Sequence, residues 1–327
     1  MIENDFNKID ITFKQSDLSI VMPVYNSLDT IHRSVNSFLK LSEKLLNNYD
    51  LSCCLFIIDD CSNDGSTSAA YDLSQLHNNI FFIKNDKNIG PGLARNKALE
   101  IIKSGYVGFL DADDEIITND YADSYVKGLN LDADWITFNG WFCNDGVKNS
   151  KYDFDRLTNN TEQLATKCRR GELDGSVIFT IYSIHLIRNN YLNFPEGYYE
   201  DIPFAYKAML IAKNRYISNN YSYKKHNIDT SIINTISKKH IKGLLNAWLR
   251  VDIILAEYNS SNFQSDRLYG IYGYIANLIK SVIISEQSSQ YKKELFSFLY
   301  IKIQAHSEIL NIKYNVTTKK ELLAANK

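Results

Sequence analysis

Short apolar runs alternate with helically spaced apolar residues through the first half of the chain. Residues 19–24, Ser-Ile-Val-Met-Pro-Val, form the first run and predict a strand. Residues 30–41 then place Ile31, Val35, Phe38 and Leu39 on one helical face. Runs at 55–58, 80–83 and 106–110 predict three more strands, and 92–104 predicts a helix before the last of them. Strands alternating with helices predict a doubly wound, mostly parallel sheet, an α/β fold. Residues 135–142 and 176–182 predict further strands, and 201–212 a helix. From 237 onward the pattern is helical. Leu268, Ile271, Tyr272, Ile275, Leu278, Ile279, Val282 and Ile283 make one apolar stripe, expected to serve self-association, then packing, then membrane docking.

Composition narrows this picture. The 327 residues are 45% hydrophobic, enough for a large domain plus a smaller one, and 4 prolines with 14 glycines leave little room for a linker. The 5 cysteines are odd in number and lack C-x-x-C spacing, so a reduced, cytoplasmic setting is expected, without disulfides or structural zinc. Residues 1–14 are polar and acid-bearing, unlike a signal peptide. The nearest approach to a membrane span, 268–284, contains Lys280. The net charge of −2 is uneven: residues 231–327 hold 13 Lys/Arg against 7 Asp/Glu. A basic tail can meet an anionic lipid surface or an anionic polymer, or it can be ordinary solvated helix.

The run Tyr106-Val107-Gly108-Phe109-Leu110 leads straight into Asp111-Ala112-Asp113-Asp114-Glu115. A buried strand would deliver these acids to its C-terminal end, where open α/β sheets bind ligands. Packed carboxylates need water or a cation, and Mg²⁺ or Mn²⁺ between carboxylates and substrate phosphates is the simplest compensation. An isolated Asp-X-Asp also reads simply as an acidic turn. Leu131-Asp132-Ala133-Asp134 repeats the tetrapeptide, but there the apolar run follows the acids. Asp132 and Asp134 are therefore expected to be turn or cap residues.

Four segments gain meaning together: Met22-Pro23-Val24-Tyr25-Asn26, Ile58-Asp59-Asp60-Cys61-Ser62-Asn63-Asp64-Gly65-Ser66, Asn88-Ile89-Gly90-Pro91-Gly92-Leu93-Ala94-Arg95-Asn96, and the acids at 111–114. In this order they resemble the inverting nucleotide-sugar glycosyltransferases of family 2, of the bacterial surface-polysaccharide type, with the GT-A fold. The resemblance covers roughly residues 17–230. It implies a GT-A domain over 1–236, with a nucleotide-binding half at about 17–115 and an acceptor half at about 116–236. Residues 237–327 are left as a helical C-terminal domain for oligomerisation or membrane docking.

The resemblance also assigns roles. Pro23, Val24 and Tyr25 would form a uracil slot, with Asp60 accepting from the base N3–H; on the residues alone Asp59 reads as a structural turn acid, and Tyr25 equally as core packing. Arg95 would contact the donor nucleotide. Asp113 would ligate Mn²⁺ or Mg²⁺, Asp111 would contact the ribose or the metal's water, and Asp114 is left open. Phe194-Pro195-Glu196-Gly197-Tyr198-Tyr199-Glu200-Asp201 resembles the segment whose Asp is the catalytic base, which maps to Asp201, with Glu200 orienting acceptor or base. Asp201 equally suits a helix N-cap. His226, in Tyr221-Ser222-Tyr223-Lys224-Lys225-His226, maps to a metal or diphosphate contact. Many relatives carry arginine where Lys224 stands, which puts that phosphate contact in question.

The expected reaction is transfer of a hexose or N-acetylhexosamine from a UDP-sugar to a hydroxyl of a surface glycan or anionic polymer: lipopolysaccharide, capsule or wall teichoic acid. The expected setting is the cytoplasm or the inner membrane face, as a homo-oligomer and without nucleic acid. A nucleotidyltransferase would want a glycine-rich, basic loop after the first strand, and residues 25–29 are neither. A non-catalytic nucleotide-sugar binding module would have lost some of these acids. A Rossmann dehydrogenase lacks its G-x-G-x-x-G.

Overall fold

A computed structural model describes residues 16–142, 148–150, 160–226, 236–256, 258, 263–285 and 287–309. The strands are β1 (Leu18–Val24), β2 (Cys53–Asp59), β3 (Ile80–Lys84), β4 (Tyr106–Phe109), β5 (Glu115–Ile116), β6 (Trp135–Phe142), β7 (Lys148–Ser150), β8 (Thr180–Ser183) and β9 (Arg215–Lys224). The helices are α1 (Leu28–Tyr49), α2 (Ser66–Leu76), α3 (Pro91–Ile101), α4 (Thr118–Asn130), α5 (Thr161–Arg170), α6 (Ile184–Asn189), α7 (Asp201–Ile211), α8 (Lys238–Leu255), α9 (Phe263–Ile284) and α10 (Ser289–Ile309).

Among the described residues nine strands form one sheet, ordered β3-β2-β1-β4-β8-β6-β9-β5, with β7 on β6. The run β3-β2-β1-β4 is parallel. This is why β1 and β2 read as unbroken apolar runs: helices cover both faces, and every β2 residue is buried. β8 is antiparallel to both β4 and β6. The strand expected over 176–182 is accordingly shorter: Val177–Phe179 is a 3-10 turn, and pairing begins at Thr180. The order places the C-terminal ends of β1, β2 and β4 along one edge, which fixes where the loops after them gather.

Two local features set that edge. Ile31, Val35, Phe38, Leu41 and Leu45 of α1 are fully buried, so the helix presses one face on the sheet. Gly108 in β4 has no room for a side chain, because a Cβ there would run into the Tyr121 hydroxyl. The second Asp-x-Asp falls as expected. Asp132 takes a left-handed φ of 49°, and Asp134 accepts from the Lys213 and Asn214 amides, tying the turn before β6 to the turn before β9.

The chain divides into two compact units that interleave in sequence, where the sequence reading divides it at residue 236. The first is Met1–Phe154, Ser176–Glu196 and Ile211–His226; the second is Asp155–Gly175, Gly197–Leu210 and Asn227–Lys327. In the second unit, Trp248 of α8 lies against Tyr274 of α9 with ring centroids 4.0 Å apart. The backbone of α9 closes on α5 at Gly270, where a Cβ would strike the Arg169 carbonyl. From the expected stripe, Ile275, Leu278 and Val282 are buried by the chain itself, which leaves them unavailable to a partner. Among the described residues no helix is long and apolar enough to cross a membrane.

Candidate metal and nucleotide site

The acids after β4 sit in a tight turn, closed by the Asp114 amide donating to the Asp111 carbonyl at 3.1 Å. Carboxylate oxygens of Asp111, Asp113 and Asp114 lie within 4.8 Å of one another. α1 holds the turn from one side. Arg33 Nη2 donates to the Asp113 carbonyl at 2.6 Å, and Ser34 Oγ donates to the Ala112 carbonyl at 2.8 Å. Ser37 Oγ accepts from the Ile116 amide at 3.0 Å. The end of β9 holds the other side: the Tyr223 hydroxyl accepts from the Asp111 amide at 3.0 Å, and the His226 amide donates to Asp114 Oδ1 at 2.8 Å. Asp114, undecided from sequence, is thus a buried member of the cluster.

The electrostatics suit a cation. Burial and the charge of Asp111 push the Asp113 carboxyl up to about 6, although Lys225 and Arg33 offset part of the rise. Burial, then Asp111 and Asp113, push Asp114 up to about 8. Ionising these carboxyls together would leave negative charge that the protein itself does not neutralise. Oxygen-only donors at this separation fit a hard divalent ion such as Mn²⁺ or Mg²⁺.

Arg95 is not a surface residue. Its side chain is 7% exposed, and its Nη2 meets Asp111 Oδ1 at 2.9 Å. Its guanidinium carbon lies 5.9 Å from the Phe109 ring centroid and 5.5 Å from that of Phe194. Asn96, next along α3, exchanges two hydrogen bonds with the Phe194 backbone at 2.8 and 2.9 Å. Arg95 therefore holds Asp111 in place, a role the glycine-rich context alone does not reveal.

His226 is beside the acids, but its ring is not one of the atoms within 4.8 Å. Its Nε2 meets Glu115 Oε1 at 2.6 Å. The same oxygen takes Lys224 Nζ at 3.2 Å and lies 4.0 Å from Arg33 Nε. Burial raises the Glu115 carboxyl, but the His226 and Lys224 hydrogen bonds outweigh it and hold the group below its ordinary value. Glu115 and Lys224 face each other in the two-residue β5–β9 pair, so this carboxylate pins the end of β9 to the acid turn. Lys224, in the place of the family's arginine, is spent on Glu115.

At the ends of β1 and β2, Val24 is buried and Tyr25 is 50% exposed, which rules out core packing for the tyrosine. Pro23 pairs with Ile58 in register. The Asp60 amide donates to the Val24 carbonyl at 2.7 Å. Its buried carboxylate takes Asn85 Nδ2 at 2.8 Å and the Ile89 and Gly90 amides at 2.9 and 2.7 Å. Asp60 thereby shapes residues 85–90. Gly90 fits because its φ of 87° is one that L side chains rarely adopt. Asp59 is the structural acid: it is fully buried and accepts from Thr67 Oγ1 at 2.8 Å and the Ser62 amide at 3.3 Å.

Asp201 and Glu200 belong to the second unit. Asp201 is the first residue of α7, and Glu200 is buried. The turn before them uses left-handed backbone at Gly197 and Tyr199, with φ of 116° and 61°. Burial and the Asp201 charge raise the Tyr199 phenol above its ordinary value.

Sequence reading missed Arg33, Ser34, Ser37, Glu115 and Tyr223. One signal for the serines was present: Ser34 and Ser37 fall among Ile31, Val35 and Phe38, the apolar positions of the helix, and both prove buried. A polar residue at such a position needs an acceptor from elsewhere in the fold.

Known proteins resemble this chain in sequence and in fold. The chain is 29% identical over 214 residues to the poly(ribitol-phosphate) beta-glucosyltransferase of Bacillus spizizenii, covering 63% of this chain and 31% of that protein. It is 32% identical over 120 residues to the poly(ribitol-phosphate) beta-N-acetylglucosaminyltransferase TarP of Staphylococcus aureus, covering 36% and 35%. It thus spans about a third of the length of these curated relatives. The crystal structure of S. aureus TarS 1–349 in complex with UDP-GlcNAc superposes with a TM-score of 0.59 at 18% identity, covering 91% of this chain and 93% of that one, and so shares the GT-A fold. With its acid turn, its sheet order and a match to the family's sequence profile over residues 19–187, the chain belongs to glycosyl transferase family 2.

Proposed function

We propose that the protein is an inverting, metal-dependent glycosyltransferase that moves a hexose or N-acetylhexosamine from a UDP-sugar to a hydroxyl of a bacterial surface polymer. The observation that carries this reading is the close set of Asp111, Asp113 and Asp114 oxygens at the C-terminal end of β4, with two of the carboxyls held hard to ionise. The names of the relatives favour a polyol-phosphate polymer over lipopolysaccharide or capsule as the acceptor class. The setting that suits such a substrate is the cytoplasmic face of the membrane.

In this reading Asp113 and Asp114 hold the metal and Asp111 supports it, steadied by Arg95. When bound, the ion neutralises charge that develops on the departing nucleoside diphosphate. Pro23, Val24 and the exposed Tyr25 flank the base. Asp60 orders the 85–90 loop beside it, and its carboxylate, with three donors already bound, has about one lone pair left for the base N3–H. His226 steadies the acid turn through its amide, and its ring is the candidate fourth contact to the metal or diphosphate. Asp201 accepts the proton of the attacking hydroxyl, and Glu200 orients acceptor or base.

The test needs no acceptor. UDP-Glc, UDP-Gal, UDP-GlcNAc and UDP-GalNAc are each incubated with the protein and Mn²⁺, and slow release of UDP is followed. At least one donor should be hydrolysed, and chelation should stop it. Absence of release from all four, or release indifferent to chelation, would contradict the reading.

A further inference from the structure

α8 has two faces that differ in chemistry. Ile241, Leu244, Leu245, Trp248, Val251 and Leu255 are each at most 8% exposed, so its apolar side is consumed by the protein's own packing. The opposite side carries Lys239, Lys242, Asn246 and Arg250, all exposed. Their spacings of three, four and four residues keep them in one arc of the helix surface. At 1.5 Å per residue, Lys239 to Arg250 spans about 16 Å. The acid of this helix, Asp252, is buried, so nothing negative from α8 itself interrupts the line. Lys238, at the edge of the arc, is paired with Glu294 at 3.5 Å. Among the described residues Lys239, Lys242 and Arg250 have no ion-pair partner.

We propose that this face of α8 binds a linear polyanion with repeated phosphodiester groups. It would thus hold the acceptor chain through residues other than those of the site of chemistry. Calling that polymer an acceptor rests on the function proposed above; its binding does not. A row of fixed cations along one line suits a chain with regularly repeated anions, and counterion release supplies the affinity. A lipid surface fits less well. Membrane-docking helices insert an apolar face, and that of α8 is buried. Ile253, at 65% exposure, is the large apolar side chain that α8 leaves strongly exposed among the described residues.

The full chain is titrated with poly(ribitol phosphate), with neutral dextran and with phosphatidylglycerol vesicles. Three cation contacts at about −0.7 each give a logarithmic salt slope of roughly −2, so raising salt from about 50 to 200 mM should weaken polymer binding roughly twentyfold. Dextran should not bind. The triple variant Lys239→Glu, Lys242→Glu, Arg250→Glu should lose polymer binding and the salt slope, raise the KM for polymer acceptor, and leave Mn²⁺-dependent UDP-sugar hydrolysis unchanged. Should the charge reversal disturb folding, the corresponding Gln variant at unchanged Tm gives the same test. Polymer binding unaltered in the variants, binding to vesicles but not polymer, or no polymer binding at low salt would each overturn the proposal. Failure of the functional reading would look different: the wild-type chain would hydrolyse no UDP-sugar, whatever the polymer did.

Discussion

Asp113→Asn should make the metal-free protein more stable at neutral pH while abolishing its response to Mn²⁺. Burial and the Asp111 charge push the Asp113 carboxyl from 3.8 to about 6. A little over two pKa units, at 1.36 kcal/mol each, is about 3 kcal/mol against the ionised form. Residual exposure and relaxation of the turn reduce this to roughly 1–3 kcal/mol. A raised carboxyl pKa means that the folded state holds its proton more tightly than the unfolded chain. The stability in question is therefore present below about pH 4, is lost as pH rises through about 6, and stays lost above. The gain from Asn should accordingly be absent at pH 4 and complete above about pH 7. Asp114 adds to it, because Asp113 is one cause of its own rise to about 8. The assay is thermal unfolding with a chelator at pH 5.0 and 7.5, then with Mn²⁺. At roughly 2–4 °C per kcal/mol the variant should gain several degrees at pH 7.5 and less at pH 5.0. Mn²⁺ should raise the Tm of the wild type alone. A variant no more stable than wild type at pH 7.5 with chelator, or an equal Mn²⁺ shift in both proteins, would refute the reasoning.

Three other perturbations follow from the geometry. Asp201→Ala should cut transfer by roughly a hundredfold or more with UDP binding kept, read by coupled UDP release and calorimetry; near-normal turnover removes Asp201 from the role of base. Glu115→Gln takes a charged acceptor from His226, Lys224 and Arg33, and should weaken Mn²⁺ affinity by about 10–100-fold in a metal titration. An unchanged affinity would make Glu115 a local strand anchor only. Gly108→Ala drives a methyl into the Tyr121 hydroxyl and Ile20, and should cost about 1–3 kcal/mol in chemical denaturation, whereas a neutral result would mean that β4 can shift away from α4.

The parallel half of the fold was legible because β1, β2 and β4 are buried on both faces and so appear as unbroken apolar runs. The acid turn was legible because β4 delivers it, while the look-alike at Asp132 and Asp134 precedes its strand. The support of that turn was not legible. Arg33, Ser34 and Ser37 act on carbonyls and an amide about 80 residues away, and a serine among the apolar positions of α1 does not say which backbone group it will meet. Glu115 reads as a fourth acid of the run until the end of β9 brings Lys224 and His226 to it and α1 brings Arg33. Arg95 was expected as a donor-nucleotide contact; its ion pair with Asp111 depends on burial between Phe109 and Phe194, which residue type does not show. The two units interleave because residues 160–175 and 197–210 pack with the C-terminal helices, a tertiary choice that local pattern does not encode.

In the proposed function the acids at 111–114 hold a divalent ion together with a nucleoside diphosphate. Electron paramagnetic resonance of Mn²⁺, titrated with and without UDP, tests it directly. One Mn²⁺ per chain is expected, bound at least roughly tenfold more tightly with UDP present and lost in Asp113→Asn. Mn²⁺ binding that is indifferent to UDP, or intact in that variant, would contradict it.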